Sequence, residues 1–361
     1  MKVLIVGPVQ SDKYFGGVAT FTESLADGFK INGFEEVEIL TDYTIKPTTH
    51  YGCAISAIFK EPKRRNPLIL RRLAHQINIR EVDLIITSLE YGLSLLFIKK
   101  NSAVKIHYLH AFPARTMAGF FKTIGLNKAM KLISRKADFM ISNSSLTSVV
   151  NKEIYGIKSD NIISIGLGYE FIDAVNTLVL GNSTFKKNKK RGQILYAGRM
   201  ASEKNIYSII ESVEALYKEK DIDFNMIMIG EGEDYPELAQ KYNQSTFPIE
   251  FIGAKNQDTI VKYYLESEVF ISMNPHEPFG ITYLEALFTN CKIVCPLTGG
   301  HMDFSNLFHE HFFLTNPYDC TSIKESLKDA LQSDIPSYNK NIERFNYANV
   351  ANDIINYVFD K

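Results

Sequence analysis

The chain has 361 residues, 45% hydrophobic and 22% charged. That length exceeds one ordinary core and suits two domains of roughly 150–180 residues, and the composition excludes wholesale disorder. Apolar runs such as Leu95–Ile98 fall far short of the roughly 20 residues that span a bilayer. The opening Lys2–Gly7 lacks the longer apolar region and cleavage site of a secretory leader. Four cysteines, Cys53, Cys291, Cys295 and Cys320, are too few for a disulfide framework, so a cytoplasmic protein with buried thiols is expected.

The net charge of −1 divides into +6 over residues 1–175 and −7 over the rest. Two basic segments lie in the first half: Lys60–Arg65 followed by Arg71-Arg72, and Arg115–Lys136, which contains Lys122, Lys128, Lys131 and Arg135 and no acidic residue. They read either as solvated helix faces or as contacts for an anionic membrane surface or lipid-diphosphate acceptor. No nucleic acid partner is expected.

Taken in chain order, short β-rich runs alternate with longer amphipathic ones. Strands are expected at Lys2–Gly7, Val37–Thr41, Asp83–Ser88, Lys105–His110, Phe139–Asn143 and Ile162–Ile165. The second half continues with Gln193–Gly198, Phe224–Gly230, Ile249–Gly253, Val269–Met273, Lys292–Pro296 and Phe312–Leu314. Most are near-continuous apolar runs, as for parallel strands buried on both faces. Helices are expected between them at Ala19–Lys30, Ile206–Glu219 and Ile260–Ser267, and Tyr347–Phe359 forms a closing amphipathic stretch. This alternation predicts an α/β protein with two doubly wound, Rossmann-like domains facing a central cleft. The break is a polar, basic stretch flanked by glycine, which places domain one at 1–175, a linker at 176–192 and domain two at 193–345.

Three motifs carry chemistry. His276–Leu287 follows a strand, and Pro278 and Gly280 turn the chain into a helix whose free N–H groups suit an anion or sugar oxygens. Glu277 and Glu285 are eight residues apart, or roughly 12 Å along a helix. That suits two carboxylates on different parts of one long ligand better than a glycosidase dyad at about 5–9.5 Å. Gly198-Arg199…Glu203-Lys204 follows another strand and offers a guanidinium fork and a point charge for a diphosphate. Such cations also stabilise charge on a nucleotide leaving group without a metal. Gly16-Gly17, before the first helix, lets backbone approach a phosphate or sugar. The Gly-x-Gly-x-x-Gly fingerprint is absent, which counts against a nicotinamide enzyme.

In this order the three motifs resemble family 4 of the retaining GT-B glycosyltransferases (glycosyl transferases group 1). The resemblance is strongest over 193–303 and weak over about 42–100. It implies a nucleotide-sugar donor, a saccharide or lipid-linked acceptor and no metal or other cofactor. Arg199 and Lys204 would bind the diphosphate, Glu285 the ribose, and Glu277 the sugar hydroxyls with backbone N–H groups from Phe279, Gly280 and Ile281. Gly16, Gly17 and Gly198 would lie along the donor, and His110 near the sugar and acceptor. The donor phosphate would help deprotonate the acceptor on the same face of the sugar, which gives retention. The final helix, about 346–361, would pack back on the acceptor-binding first domain. Asn205, Asn290 and Asp303 depart from the glycine, glycine and glutamate common at those places. A non-catalytic nucleotide-sugar-binding or partner-binding module and a nucleotide-sugar epimerase are the alternatives; an epimerase would convert donor with no acceptor present. His301, His309 and His311 lack companions at metal-ligand spacing, His107 reads as structural, and Asp221-Ile222-Asp223 precedes its strand and so lies away from the carboxyl ends.

Overall fold

The computed structural model describes residues 1–11, 16–61, 67–113, 120–180 and 189–359. It divides into two units, Met1–Tyr169 with Phe345–Lys361, and Glu170–Arg344.

Unit one begins β1 (Lys2–Val6), α1 (Gly17–Ile31), β2 (Glu36–Tyr43), β3 (Ala54–Phe59), α2 (Pro67–Asn78), β4 (Leu84–Ser88) and a 3₁₀ segment, Leu89–Phe97. It continues with β5 (Val104–Leu109), α3 (Phe120–Ser134), β6 (Phe139–Ser142), α4 (Ser145–Val149) and β7 (Asn161–Ile162). Its sheet runs β3-β2-β1-β4-β5-β6-β7, and every pairing is parallel. The order reverses between β1 and β4, which is where ligands bind in open α/β sheets. Strand β3 falls in the stretch that no motif covers; as an edge strand it is only partly buried along its length, although Ala54–Phe59 is apolar at every position but Ser56.

α5 (Tyr169–Leu180) leads to unit two: β8 (Lys190–Ala197), α6 (Ile206–Glu219), β9 (Asn225–Ile229), α7 (Tyr235–Tyr242), β10 (Ile249–Gly253), α8 (Gln257–Glu266) and β11 (Ser267–Ile271). Then come α9 (Ile281–Phe288), β12 (Lys292–Pro296), α10 (Met302–Ser305), β13 (Phe312–Thr315) and α11 (Cys320–Gln332). The sheet order is β10-β9-β8-β11-β12-β13, again parallel throughout. Ile194, Met226, Met228, Val269, Ile271 and Val294 pack there against Ile206, Ile210 and Val213 of α6 and Ile323 and Leu327 of α11. The expected linker at 176–192 is shorter at both ends. α5 runs on to Leu180 and β8 starts at Lys190, where Lys190 pairs with Glu266 at 2.7 Å; residues 181–188 lie outside the described residues.

The last helix, α12 (Tyr347–Phe359), belongs to unit one. Leu167 N donates to Phe345 O at 2.8 Å, and Asn32 donates to Ala348 O at 2.7 Å and to Asn352 Oδ1 at 2.9 Å. Gly28 of α1 lies so close to α12 that a Cβ there would overlap the Tyr347 carbonyl. Gly28→Ala forces the two helices apart, and overpacking of this kind costs roughly 1–3 kcal/mol. Urea unfolding of that variant checks the value.

Candidate active site

In unit two the strand order reverses between β8 and β11, so the loops that leave their carboxyl ends are neighbours. The β8 loop holds Gly198, Arg199 and Lys204. Its backbone is tied to the β9 loop: Gly198 N donates to Ile229 O and Met200 N to Glu231 O, both at 3.0 Å. A Cβ on Gly230, whose φ is +131°, would overlap Gly198 O, and one on Gly232 would overlap Met200 O. Met200 and Ala201 are buried and anchor the loop, whereas the Arg199 side chain is 56% exposed. A 3₁₀ turn, Ser202–Lys204, ends at Asn205 in the left-handed region, and α6 begins.

The β11 loop carries Asn274, Glu277 and Gly280. Gly300 N, from the loop after β12, donates to Glu277 O at 2.8 Å, and a Cβ on Gly300 would overlap Pro278 O. Phe279 is buried against Phe304. Gly280, at φ +94°, precedes Ile281, and no side chain caps the first turn of α9. Its positive end is therefore available to a ligand.

These two loops bring Lys204 Nζ to 2.9 Å from Glu277 Oε2. Asn274 Nδ2 donates to the same oxygen at 2.9 Å. Desolvation raises the Glu277 pKa, but Lys204 and Asn274 outweigh it and hold the carboxyl below its ordinary value. Arg199 is turned to Glu203, four residues on, in an ion pair. Glu285 lies in the second turn of α9 and accepts from Tyr264 OH at 3.0 Å. Burial pushes it up to about 7, against the pull of that hydrogen bond. Asn274 and Tyr264 were not legible as site residues. Asn274 does stand three before Glu277 at a strand end, but Tyr264 is joined to Glu285 only by the fold.

In unit one, His110 follows β5 and is 9% exposed. Its Nε2 shares a 3.1 Å hydrogen bond with Ser88 Oγ at the end of neighbouring β4. The ring stacks on Tyr108 and meets Phe21 edge-on. Burial, helped by His107, pushes it down to about 3, so it is neutral near pH 7. Leu89, just after Ser88, has φ +51°. Beside His110 is a cavity of about 160 Å³ lined by Leu109, Phe112, Pro113, Leu126 and Met130. Gly16 caps α1, and a Cβ there would meet open space, so packing within the described residues does not require glycine. Arg115 and residues 12–15 lie outside the described residues.

The other singled-out groups have local partners. His107 Nδ1 shares a 2.9 Å bond with Thr87 Oγ1, His301 Nε2 one of 2.8 Å with Pro296 O, and His311 Nε2 one of 3.1 Å with Asn290 Oδ1. Asp221 pairs with Lys328 at 3.1 Å, before the amino end of β9. Asn205 and Asn290 have φ of +56° and +63°. Asparagine tolerates that left-handed region better than other non-glycine residues. Their side chains also reach the carbonyls of Pro317 and Pro336.

Residues 182–348 match the model of glycosyl transferases group 1. Over those residues the chain is similar to that family. It is 24% identical over 239 residues to the glycogen synthase of Mycoplasma mobile, a match covering 60% of this chain and 50% of the relative. The chain thus spans half the length of that synthase. It is 24% identical over 309 residues to the alpha-monoglucosyldiacylglycerol synthase of Acholeplasma laidlawii, covering 77% of this chain and 76% of that one. Its fold superposes on the sucrose-phosphate synthase of Thermosynechococcus elongatus with a TM-score of 0.72 and 17% identity, over 98% of this chain and 97% of that one. The chain therefore has the GT-B fold.

The raised Glu285 sets a pH dependence. The folded chain binds that proton more tightly than the unfolded chain, so stability falls as pH rises from 4.5 towards 7 and stays low above it. Glu285→Gln removes this decline and gains about 1–2 kcal/mol at pH 8, with little difference near pH 5. Urea unfolding of both proteins across that range measures it.

Proposed function

We propose that this chain is a retaining glycosyltransferase that moves a sugar from a nucleotide-diphosphate sugar, UDP-linked in the first instance and GDP-linked next, onto a saccharide or lipid-linked acceptor. The observation that carries the reading is the convergence of Lys204, Glu277 and the uncapped start of α9 where the unit-two strand order reverses. Arg199 and Lys204 take the diphosphate, and the start of α9 presents backbone N–H groups of Phe279, Gly280 and Ile281 to the sugar. Glu285 accepts from the ribose, and Glu277 from hydroxyls of the sugar.

In the reaction the bond between the sugar and the diphosphate breaks and charge accumulates on the leaving phosphate. Fixed cations and a helix start stabilise that charge more than they stabilise the ground state, which is the condition for acceleration. Two side-chain cations do this without a metal ion. The acceptor hydroxyl loses its proton to the departing phosphate, and attack on the same face retains configuration. His110 is neutral near pH 7 and, beside the unit-one cavity, supplies a hydrogen-bonding ring to the sugar and acceptor rather than a charge.

The unit-one helix α3 supports a membrane-borne acceptor. Lys122, Lys128 and Lys131 are exposed on it, together with Ile124, Leu126 and Leu132 at about 40%, and Arg135 and Lys136 follow. Cations interleaved with apolar side chains fit the surface of an anionic bilayer, and no helix among the described residues is long and apolar enough to cross one. Replacing Lys128, Lys131, Arg135 and Lys136 by Glu abolishes co-sedimentation with anionic vesicles while leaving nucleotide binding intact.

The donor site is tested by thermal unfolding against UDP, GDP, ADP and their sugar conjugates without metal. A donor at 100-fold over its Kd adds about 2.7 kcal/mol of stability, and Lys204→Ala loses that gain. Absence of any such gain across the panel overturns the donor reading.

A further inference from the structure

We infer that the Lys204–Glu277 ion pair is a latch that makes this site favour a nucleotide-sugar over the bare nucleotide diphosphate. The inference rests on the donor reading above and adds a rule for its selectivity. The side chain assigned to the diphosphate and the one assigned to the sugar satisfy each other. They come from loops 73 residues apart, with Nζ and Oε2 at 2.9 Å. Both loops are tied down. Lys204 N donates to Ala201 O at 2.9 Å, and the Glu277 carbonyl accepts from Gly300 N. Asn205, next to Lys204, fastens its side chain to the Pro317 carbonyl and accepts from Ser208 Oγ. Neither partner is a free surface charge: the Lys204 side chain is 26% exposed and that of Glu277 19%. Arg199 is different. It is 56% exposed and pairs with Glu203 inside its own turn.

A diphosphate that takes Lys204 must therefore take it from Glu277. The carboxylate keeps its bond from Asn274 but loses its countercharge in a partly enclosed site, and an uncompensated charge there is costly. A bare nucleotide diphosphate offers nothing in return. A sugar hydroxyl donates to the freed carboxylate and replaces the hydrogen bond that Lys204 gave, which offsets part of that cost. The same balance acts after transfer: once the sugar has left, Glu277 competes with the product diphosphate for Lys204 and favours release. The contrary case is also definite. An ammonium has three donors, and if the diphosphate uses another one while the pair stays closed, no latch exists.

Isothermal titration of the full chain with UDP, UDP-glucose, GDP and GDP-mannose decides between them, using wild type, Glu277→Gln, Lys204→Ala and the double variant. Wild type is expected to bind the matching nucleotide-sugar at least about tenfold more tightly than the nucleotide diphosphate. Glu277→Gln should tighten the bare diphosphate by about tenfold when Lys204 is present and not when it is Ala. An equal gain in both backgrounds is simple charge repulsion and overturns the latch, as does no gain at all. Should Glu277→Gln fail to fold, the wild-type ratio stands alone, and a bare diphosphate bound as tightly as its sugar conjugate overturns the latch. Binding that depends on Lys204 without sugar preference sinks the latch and leaves the donor reading; no Lys204-dependent binding sinks both.

Discussion

The parallel pairing of β8 with β11 is the constraint on which the rest of the unit-two site depends. These strands are adjacent in the sheet although more than seventy residues of chain run between their loops. A parallel sheet delivers all its carboxyl ends to one edge, and at the reversal point the loops of two adjacent strands open side by side. Glycines then let the loops touch. Gly230 and Gly232 admit the β9 loop against Gly198 and Met200, and Gly300 admits the β12 loop against Pro278. A side chain at those positions would push the β9 loop off the backbone that carries Lys204, or the β12 loop off the one that carries Glu277.

On that frame, charge is arranged by pairing rather than by accumulation. Lys204 and Glu277 neutralise one another, Arg199 is held by Glu203, and Glu285, which pairs with no cation among the described residues, sits apart where desolvation pushes its carboxyl up to about 7. Two glutamates eight residues apart on one motif thus differ in electrostatic state, because one has a cation within reach and the other has a tyrosine hydroxyl. In unit one, His110 is neutral for a third reason: burial among Tyr108, Phe21 and His107.

The departures from the family pattern have a physical explanation. Asn205 and Asn290 stand where glycine is common, and both adopt the left-handed conformation that explains the glycine. Asparagine keeps that conformation and adds a side chain that fixes the turn, to Pro317 in one case and to Pro336 and His311 in the other. Asp303 opens the first turn of a short helix, α10, where a shorter carboxylate serves as well for the helix dipole.

The sequence by itself determined the alternation of strands and helices, the limits of α6 and α12, and the identity of the charged residues at the strand ends. Buried parallel strands read as continuous apolar runs and a motif is local, so neither needs knowledge of distant contacts. The partly exposed edge strand β3 lay in the stretch where no motif marked the chain, and α5 and β8 continued into a stretch whose composition read as linker. Only the tertiary structure decided that Lys204 is spent on Glu277, that Tyr264 faces Glu285, that Ser88 holds His110 and that Gly28 seats α12. Each of these joins residues far apart in the chain, and their distance is set by strand order and packing, which local composition does not encode.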